Sequence, residues 1–305
     1  MQYKVFTHLM PWDIDYALLW LTQLQKSSYY LNKEDNIIVD VRLNLTSYLI
    51  DWENSELPKG FFIDKFNQLK NIVKDTYKTN FSIYEGNELH GHLNQQKDIV
   101  DKETDFYISI CPDMYFSEHV LALMIESSKQ IKSKYFVLNP EIHKMWDSTW
   151  DEITNPNYLN VPYDKWDEAN IFDIRANLKS TEKDIILDTT QKSKWAGWCD
   201  LYNKAMYEEL CPLQEEWSGY GPYDWYSLML TDFVKQKGVD FQQYVLRGQT
   251  SFEYSIGPLK EGGFAKYYKD LLTLNEVPNQ RQVFESNMKQ YLDKGIKMLQ
   301  EKGIL

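Results

Sequence analysis

Apolar and polar residues follow a regular succession along the first part of the chain. Residues 3–10 alternate as in a β-strand, and residues 13–31 then carry apolar side chains at helical spacing. The apolar centre of residues 36–45 is typical of a strand buried in a parallel sheet. Residues 62–77 return to the helical repeat. The pattern therefore predicts two successive strand–helix units.

The same succession continues to about residue 142. Three further strands are predicted at residues 80–86, 105–113 and 134–142. A short helix at residues 91–102 and a longer helix at residues 117–132 alternate with them. Strands that alternate with helices predict a three-layer, Rossmann-like α/β fold with a mainly parallel central sheet. Ligands of such sheets bind at the carboxyl ends of the strands. Asp40, at the end of the stretch NIIVD, and Asp113, at the end of the predicted strand 105–113, are therefore expected at this binding edge.

Regular patterning weakens between residues 143 and 194, which we interpret as an insertion or a loop-rich segment. Beyond it, strands are predicted at residues 195–204 and 240–248. A short helix at residues 205–211 and a helix at residues 223–238 are predicted between them. The tail is amphipathic and charged, which predicts helices. We therefore divide the chain into a domain of residues 1–265 and a helical C-terminal extension of residues 266–305.

Composition narrows the class of protein. The 305 residues carry a net charge of -12 and have a pI near 5.0, which argues against general binding of nucleic acids. The three cysteines include no CxxC pair, so neither a disulfide framework nor a zinc site is indicated. We see no signal peptide at the N-terminus and no apolar run of about 18 residues, and we expect a cytoplasmic protein without a transmembrane segment.

The stretch from Trp217 to Leu228, WSGYGPYDWYSL, concentrates two glycines, a proline, an acid and five aromatic residues. Glycines let a backbone pass close to a ligand, and proline stiffens the turn. Asp224 then falls near the start of the predicted helix 223–238, where the helix dipole favours its charged form. The same position also suits an aspartate that only caps the helix. The pattern by itself leaves both roles open.

Three stretches together resemble the GT-A class of nucleotide-sugar glycosyltransferases. They are ICPDMYF at residues 110–116, the helix-and-strand segment at residues 91–113, and the long segment KWAGWCDLYNKAMYEELCPLQEEWSGYGPYDWYSL at residues 194–228. The third is similar in order, spacing and residue types to the segment that delivers an acid to the acceptor in that class. The resemblance covers about residues 3 to 235.

This resemblance implies the transfer of a hexose from a nucleoside-diphosphate sugar, of the UDP or GDP type, to a hydroxyl of a glycan or another acceptor. It implies that Asp224 is the general base of an inverting reaction. Asp113 matches one acid of the D-x-D pair that holds Mn²⁺ or Mg²⁺ against the diphosphate, and Asp40 matches the acid that reads the nucleotide base.

Further residues complete the predicted site. We assign Lys97, Trp198 and Gly221 to the nucleotide-sugar side. Four aromatic residues are expected to stack on sugar rings on the acceptor side: Trp217, Tyr220, Tyr223 and Trp225. If a basic side chain rather than a metal balances the charge on the leaving diphosphate, the candidates are Lys97, Arg175, Lys194 and Arg247.

Departures from the family pattern favour an alternative. Tyr223 occupies the position of a second acid, Cys111 stands two residues before Asp113, and all five histidines lie in the first half of the chain. A catalytically inactive, GT-A-like protein that binds carbohydrate or has a structural role is therefore the second hypothesis. A nucleotidyltransferase is less favoured, because residues 7–15 contain no glycine-rich basic loop. Asp113 as a helix cap and Asp40 as a solvated strand end also remain open.

Overall fold

The computed structural model describes residues 1–9, 13–45, 60–84, 99–112, 114–144, 187–188, 199–210, 223–253 and 277–305. Nine strands form one sheet: β1 (Gln2–Leu9), β2 (Asn36–Asn44), β3 (Lys78–Tyr84), β4 (Phe106–Ile110), β5 (Met114–Phe116), β6 (Tyr135–Lys144), β7 (Leu187–Asp188), β8 (Cys199–Asn203) and β9 (Phe241–Glu253). The helices are α1 (Ile14–Ser27), α2 (Phe61–Val73), α3 (Val120–Ser128), α4 (Tyr223–Gln236) and α5 (Val277–Glu301), with a π-helical turn at Met206–Leu210.

The strands are arranged in the order β3-β2-β1-β4-β8-β6-β9-β5, and β7 pairs with β9. Strands β1 to β4 are parallel to one another, and β6 and β9 are parallel to each other. Because β8 is antiparallel to both β4 and β6, β6 and β9 run in the same direction as β1 to β4. The sheet is therefore mainly parallel, and the predicted α/β fold is confirmed.

The strand order reverses beside β1. The chain passes from β1 outwards to β2 and β3, and then returns to place β4 on the other side of β1. At such a reversal the two connections leave in opposite directions, and a crevice opens outside the carboxyl ends of the strands. We call this side of the sheet the carboxyl edge, defined by Leu9, Asn44, Tyr84 and Ile110 as the last residues of β1 to β4.

Helices cover both faces of the sheet, which gives three layers. On the first face, α1, α2 and α3 bury large apolar side chains such as Trp20, Phe66 and Met124 against the strands. On the second face, the π-helical turn, α4 and α5 contribute a separate core. Its buried members include Phe6, Tyr107, Tyr202, Met206, Leu230, Val234 and Leu299. The second face also carries buried polar residues, and these define the site described below.

Several element boundaries differ from the predicted ones. Strand β2 continues through Asn44, so Asp40 lies inside the strand and not at its end. Helix α3 begins at Val120 with His119 at the N-cap position, so Ser117 is not its N-cap residue. Strand β5 was not predicted, because three residues carry too little pattern and the strand depends on pairing with β9. Residues 99–102 of the predicted short helix are not α-helical, and residues 91–98 lie outside the described ranges.

The C-terminal part contacts the rest of the fold through α5. Helix α5 packs on α4, and Leu299 is fully buried in the second core. Two described parts of the chain fall within residues 143–194, which the sequence analysis interprets as an insertion or loop-rich segment. Strand β6 extends to Lys144, and Leu187–Asp188 forms β7, which pairs with β9. Across the described ranges, no helix combines the length and the apolar character needed to cross a bilayer.

Candidate functional site

The carboxyl edge brings the end of β4 next to the end of β1. Strand β4 ends at Ile110, and the structure describes Cys111 and Pro112 after it. Asp113 follows directly in the sequence and lies outside the described residues. Its assignment to the donor diphosphate therefore remains a prediction.

Helix α4 carries the predicted base. The helix begins at Tyr223, so Asp224 and Trp225 belong to its first turn, whereas their side chains lie outside the described part of the structure. The helix ends beside the amino ends of β6 and β9, where the N–H of Tyr135 donates to the Asp240 carbonyl at 3.0 Å. Helix α4 packs on the second face through Leu230 and Val234, and its first turn is the end of the helix farther from this point.

The other predicted site residues belong to segments that the structure does not describe. These are Lys97, Trp198, Trp217, Tyr220 and Gly221, together with the alternative cations Arg175 and Lys194. Arg247 belongs to β9, but the structure does not describe its side chain. All of these assignments stay predictions.

Asp40 lies in the middle of β2, opposite Phe6 of β1 and Asn80 of β3. Its side chain is 4% exposed, so the alternative of a solvated strand end is wrong. Arg42 donates from Nε to Oδ1 at 3.0 Å, and Asn80 donates from Nδ2 to Oδ2 at 2.8 Å. Both carboxylate oxygens thus accept hydrogen bonds from the chain itself.

Arg42 was not singled out in the sequence. It follows Asp40 by two residues, and this spacing places both side chains on the same face of a strand. It lies opposite His8 of β1 and two residues before the end of β2, so it is close to the carboxyl edge. The spacing of opposite charges on a predicted strand was the signal that would have identified it.

Tyr207 is the second functional candidate that sequence reasoning missed. The π-helical turn directs its ring into the second core, where the ring stacks on Tyr107 at 4.4 Å and meets Phe6 edge-on at 5.7 Å. Its buried hydroxyl has no hydrogen-bond partner among the residues that the structure describes. Burial raises the pKa of this hydroxyl, the neighbouring Tyr107 adds to the rise, and the positive charge of Arg42 opposes it. We call Asp40, Arg42, Asn80 and Tyr207 the Asp40 cluster.

A second polar network lies nearer the amino end of the sheet. Lys4 donates to the Ile99 carbonyl at 2.6 Å and forms an ion pair with Asp101. Partial burial alone would raise the pKa of Asp101, but hydrogen bonds from Lys4 and Thr104 lower it to about 2. Because the donors and acceptors of this network satisfy one another, we assign it the structural role of fixing the chain that enters β4.

The described residues do not by themselves supply a metal site. No group of three histidine, cysteine, aspartate or glutamate side chains that could hold a metal occurs among them. Mg²⁺ and Mn²⁺ prefer oxygen ligands, and the described residues that follow β4 offer the Cys111 thiol instead. The predicted metal therefore depends on Asp113 and on further ligands outside the described ranges.

A cavity of about 570 Å³ lies away from the carboxyl edge, between the end of α4 and the last residues of the chain. Lys134, Tyr135, Lys237 and Leu305 are among its lining residues. The ammonium groups of Lys134 and Lys237 lie over the rings of Tyr135 and Phe233. None of the predicted site residues is among the described residues that line the cavity.

Comparison with known proteins gives distant structural similarities only. No protein-family model matches the chain, and no curated protein matches it significantly. The structure of S. aureus TarS 1-349 is 13% identical, with a TM-score of 0.43, over 81% of this chain and 60% of that chain. TarS 1-349 in complex with UDP-GlcNAc is 12% identical, with a TM-score of 0.45, over 98% of this chain and 72% of that chain.

GalNAc-T7, solved with UDP, GalNAc and Mn²⁺, is 9% identical, with a TM-score of 0.45, over 85% of this chain and 45% of that chain. The chain thus spans well under two thirds of GalNAc-T7 and 60% of TarS 1-349. The identities and TM-scores are too low for these similarities to argue for a ligand or an activity of this chain. The functional argument therefore rests on the sheet, the Asp40 cluster and the sequence motifs.

Proposed function

We propose that this protein is a GT-A type glycosyltransferase that moves a hexose from a nucleoside-diphosphate sugar to an acceptor hydroxyl. The observation that supports this most is the reversal of strand order between β1 and β4. It creates a ligand crevice at the carboxyl edge, and the sequence places Asp113 three residues after the last residue of β4. The motif at residues 194–228 supports the same class through its resemblance.

Transfer builds negative charge on the leaving diphosphate, and this charge must be balanced. A divalent cation bound through Asp113 would supply electrostatic stabilisation there. The described residues do not complete such a site, so the proposal assigns no step to a metal. The alternative source of positive charge is a lysine or arginine side chain directed into the crevice.

Asp224 is the proposed base. It lies in the first turn of α4, where the helix dipole stabilises a carboxylate. The proposal places this first turn beside the carboxyl edge, where the donor would bind. A single carboxylate within hydrogen-bond reach of the acceptor hydroxyl suffices for an inverting transfer. Tyr223, Trp225, Trp217 and Tyr220 are the aromatic residues proposed to hold the acceptor.

Release of UDP and GDP from a panel of sugar nucleotides, measured with and without Mn²⁺, tests the proposal. Asp224→Asn is expected to lower turnover by roughly 10²- to 10⁴-fold, because the base is removed while the helix terminus keeps a side chain of the same shape. The matched control is Asp232→Asn, an exposed position on the same helix. The control should keep its activity, and both variants should keep their melting temperature.

Three results would contradict parts of this proposal. If no donor is hydrolysed or transferred and calorimetry detects no nucleotide binding, the glycosyltransferase assignment is wrong. Nucleotide or glycan binding without any turnover favours the alternative of an inactive, GT-A-like binding protein. Asp113→Ala should abolish metal-dependent donor binding, and an unchanged donor affinity removes Asp113 from the site.

A further inference from the structure

Two helices end at the cavity of about 570 Å³, and the first of them, α4, ends in a Schellman motif. Gly238 adopts the left-handed conformation, with a φ of 83°. The N–H of Val239 donates to the Val234 carbonyl at 3.1 Å, and the N–H of Gly238 donates to the Lys235 carbonyl at 3.0 Å. The end of α4 is thereby held in one defined shape.

Helix α5 ends with the same motif on the other side of the cavity. Gly303 has a φ of 70°. The Ile304 N–H donates to the Leu299 carbonyl at 2.9 Å, and the Gly303 N–H donates to the Gln300 carbonyl at 3.0 Å. Backbone donors therefore occupy two carbonyls at the end of each helix, and these carbonyls make less demand on nearby cations.

The residue that follows each glycine supplies an apolar wall. Val239 and Ile304 pack against the second core with one side and line the cavity with another. Phe233 and Leu305 do the same. A concave surface of this size and character suits an apolar group of a ligand, which would leave water on binding.

Two lysines give the cavity its charge. The Lys134 ammonium lies 4.7 Å from the ring centroid of Tyr135, and the Lys237 ammonium lies 5.3 Å from that of Phe233. The face of an aromatic ring attracts an ammonium group and holds it in place. Neither ammonium forms an ion pair with any residue in the described ranges, so both can contact an anion in the cavity.

Asp240 is the one acidic side chain among the described residues that line the cavity. Its Oδ2 accepts from the backbone N–H of Lys134 at 2.8 Å, and its carbonyl accepts from the N–H of Tyr135 at 3.0 Å. Asp240 therefore fixes the start of β6 against the end of α4. The pKa of Lys134 is raised, first by its hydrogen bond with Tyr135, so its ammonium stays charged wherever a carboxylate is ionised.

We propose that this cavity binds a small organic monocarboxylate. The carboxylate accepts hydrogen bonds from the ammonium groups of Lys134 and Lys237, and the apolar body lies against Phe233, Val239 and Ile304. On a chain with a net charge of -12, a local pair of cations is what allows an anion to bind. The site does not include the carboxyl edge, so this inference goes beyond the proposed glycosyl transfer and does not depend on it.

Calorimetric titration of the full chain with octanoate, octanamide, acetate and inorganic phosphate tests the class of ligand. Octanamide keeps the apolar body without the charge, whereas acetate and phosphate keep the charge without the body. Octanoate should bind about 10-fold or more tightly than each of them. The proposal is wrong if octanoate does not bind. Equal binding of octanamide shows that the lysines are not used, and equal binding of acetate or phosphate shows that the apolar wall is not used.

Lysine variants test the proposed contacts. Lys134→Met and Lys237→Met should each weaken octanoate binding by roughly 3- to 10-fold and leave octanamide binding unchanged, because each removes one charge-assisted contact. The matched control is Lys235→Met, an exposed position on α4 that does not line the cavity. Both lysines are exposed, so the variants should keep their melting temperature. Unchanged octanoate affinity in both variants overturns the proposal.

Amide exchange checks where octanoate binds. At saturating octanoate, exchange should slow at residues 237–240 and 300–305. Protection confined to other residues overturns the proposal even if octanoate binds. If octanoate behaves as expected and no nucleotide binds, the proposed glycosyltransferase function fails and this inference stands.

Discussion

Tyr207 combines deep burial with a hydroxyl that finds no hydrogen-bond partner within the described ranges. Such a group loses its hydrogen bonds to water without a replacement, which costs about 1–3 kcal/mol. Tyr207→Phe should therefore raise the free energy of unfolding by about 1 kcal/mol. Urea denaturation measures this effect.

Tyr107→Phe is the control for this prediction. The two rings stack on each other, but the Tyr107 hydroxyl donates to Glu208 at 2.7 Å. Removing that donor should lower the free energy of unfolding by roughly 1–2 kcal/mol. If both variants are destabilised to the same extent, the Tyr207 hydroxyl has a partner in solution and the prediction is wrong.

The pKa of Asp101 gives a prediction about stability at low pH. The pKa falls from 3.8 to about 2 on folding, because hydrogen bonds and charge from Lys4 outweigh partial burial. The folded state therefore binds the proton less readily, and the ion pair stabilises the protein fully above pH 3.8. This contribution is lost as the pH falls towards 2. Asp101→Asn should lower the melting temperature at pH 7, and the difference from wild type should vanish near pH 2.

Lys78→Met provides a comparison at the exposed start of β3. It removes a charge without breaking a buried network, so its effect on the melting temperature should be small at every pH. A difference between Asp101→Asn and wild type that persists below pH 2 would show that the Asp101 effect does not come from its ionisation.

At the residue scale, motif and spacing arguments identified different parts of the site. Asp224 and Asp113 came from motifs that are local in the sequence. Asp40 was also named, but its role depends on Asn80 of another strand, 40 residues away. Tyr207 was not named, because neither its burial nor the missing partner of its hydroxyl is visible in the letters MYEEL. The surroundings of Asp40 and Tyr207 depend on contacts between residues far apart in the sequence, and residue types alone do not show such contacts.

At the element scale, α4 connects the proposed base to the core. The sequence pattern assigned Trp225, Leu228, Met229 and Phe233 to its buried side. In the structure Leu230 and Val234 are fully buried, whereas Met229 and Phe233 are partly buried and pack against them. The buried stripe is shifted, because α5 and β9 both contact this helix and the sequence of α4 alone cannot show where they lie.

The packing of α4 predicts a large effect of one truncation. Leu230→Ala removes a fully buried side chain and should lower the free energy of unfolding by about 2–5 kcal/mol. Lys235→Ala, at an exposed position one turn further, should change it by less than about 0.5 kcal/mol. Chemical denaturation of the two variants checks the difference. Equal effects would mean that α4 is not held by the second core.

Elements with many local contacts were predicted well. The patterns of β1, α1, β2 and α2 contain enough residues for the period to be read, and the structure has all four elements. The short strands β5 and β7 exist only because β9 pairs with both of them. Gly238 ends α4 as expected, with a φ of 83° that glycine adopts more easily than other residues.

At the scale of the whole molecule, the alternation of strands and helices predicted the fold class but not the strand order. Strand β8 lies between β4 and β6 in the sheet. It pairs Cys199 with Ile110, although these two residues are far apart in the sequence. Pairing over such a sequence distance leaves no periodic signal in either strand. The crevice at the carboxyl edge follows from the pairing of β4 with β1, which the sequence pattern also does not show, so its position became clear only from the sheet.

Two places on the molecule compete as the nucleotide site, and they lie at different edges of the sheet. The carboxyl edge has the strand reversal and the Asp40 cluster, whereas the cavity of about 570 Å³ lies beside Gly303 and Leu305. A bound ligand suppresses local opening around its own site and stabilises the folded state by up to about 2.7 kcal/mol at 100 times its Kd. Protection from amide exchange therefore reports which edge binds nucleotide.

With UDP or GDP at saturating concentration, short exchange times should show slower exchange for residues 41–45 and 108–112. Residues 300–305 beside the cavity should be unchanged, because no predicted site residue is among the described residues that line it. Protection confined to residues 300–305 would place the nucleotide at the cavity and would contradict a site at the carboxyl edge.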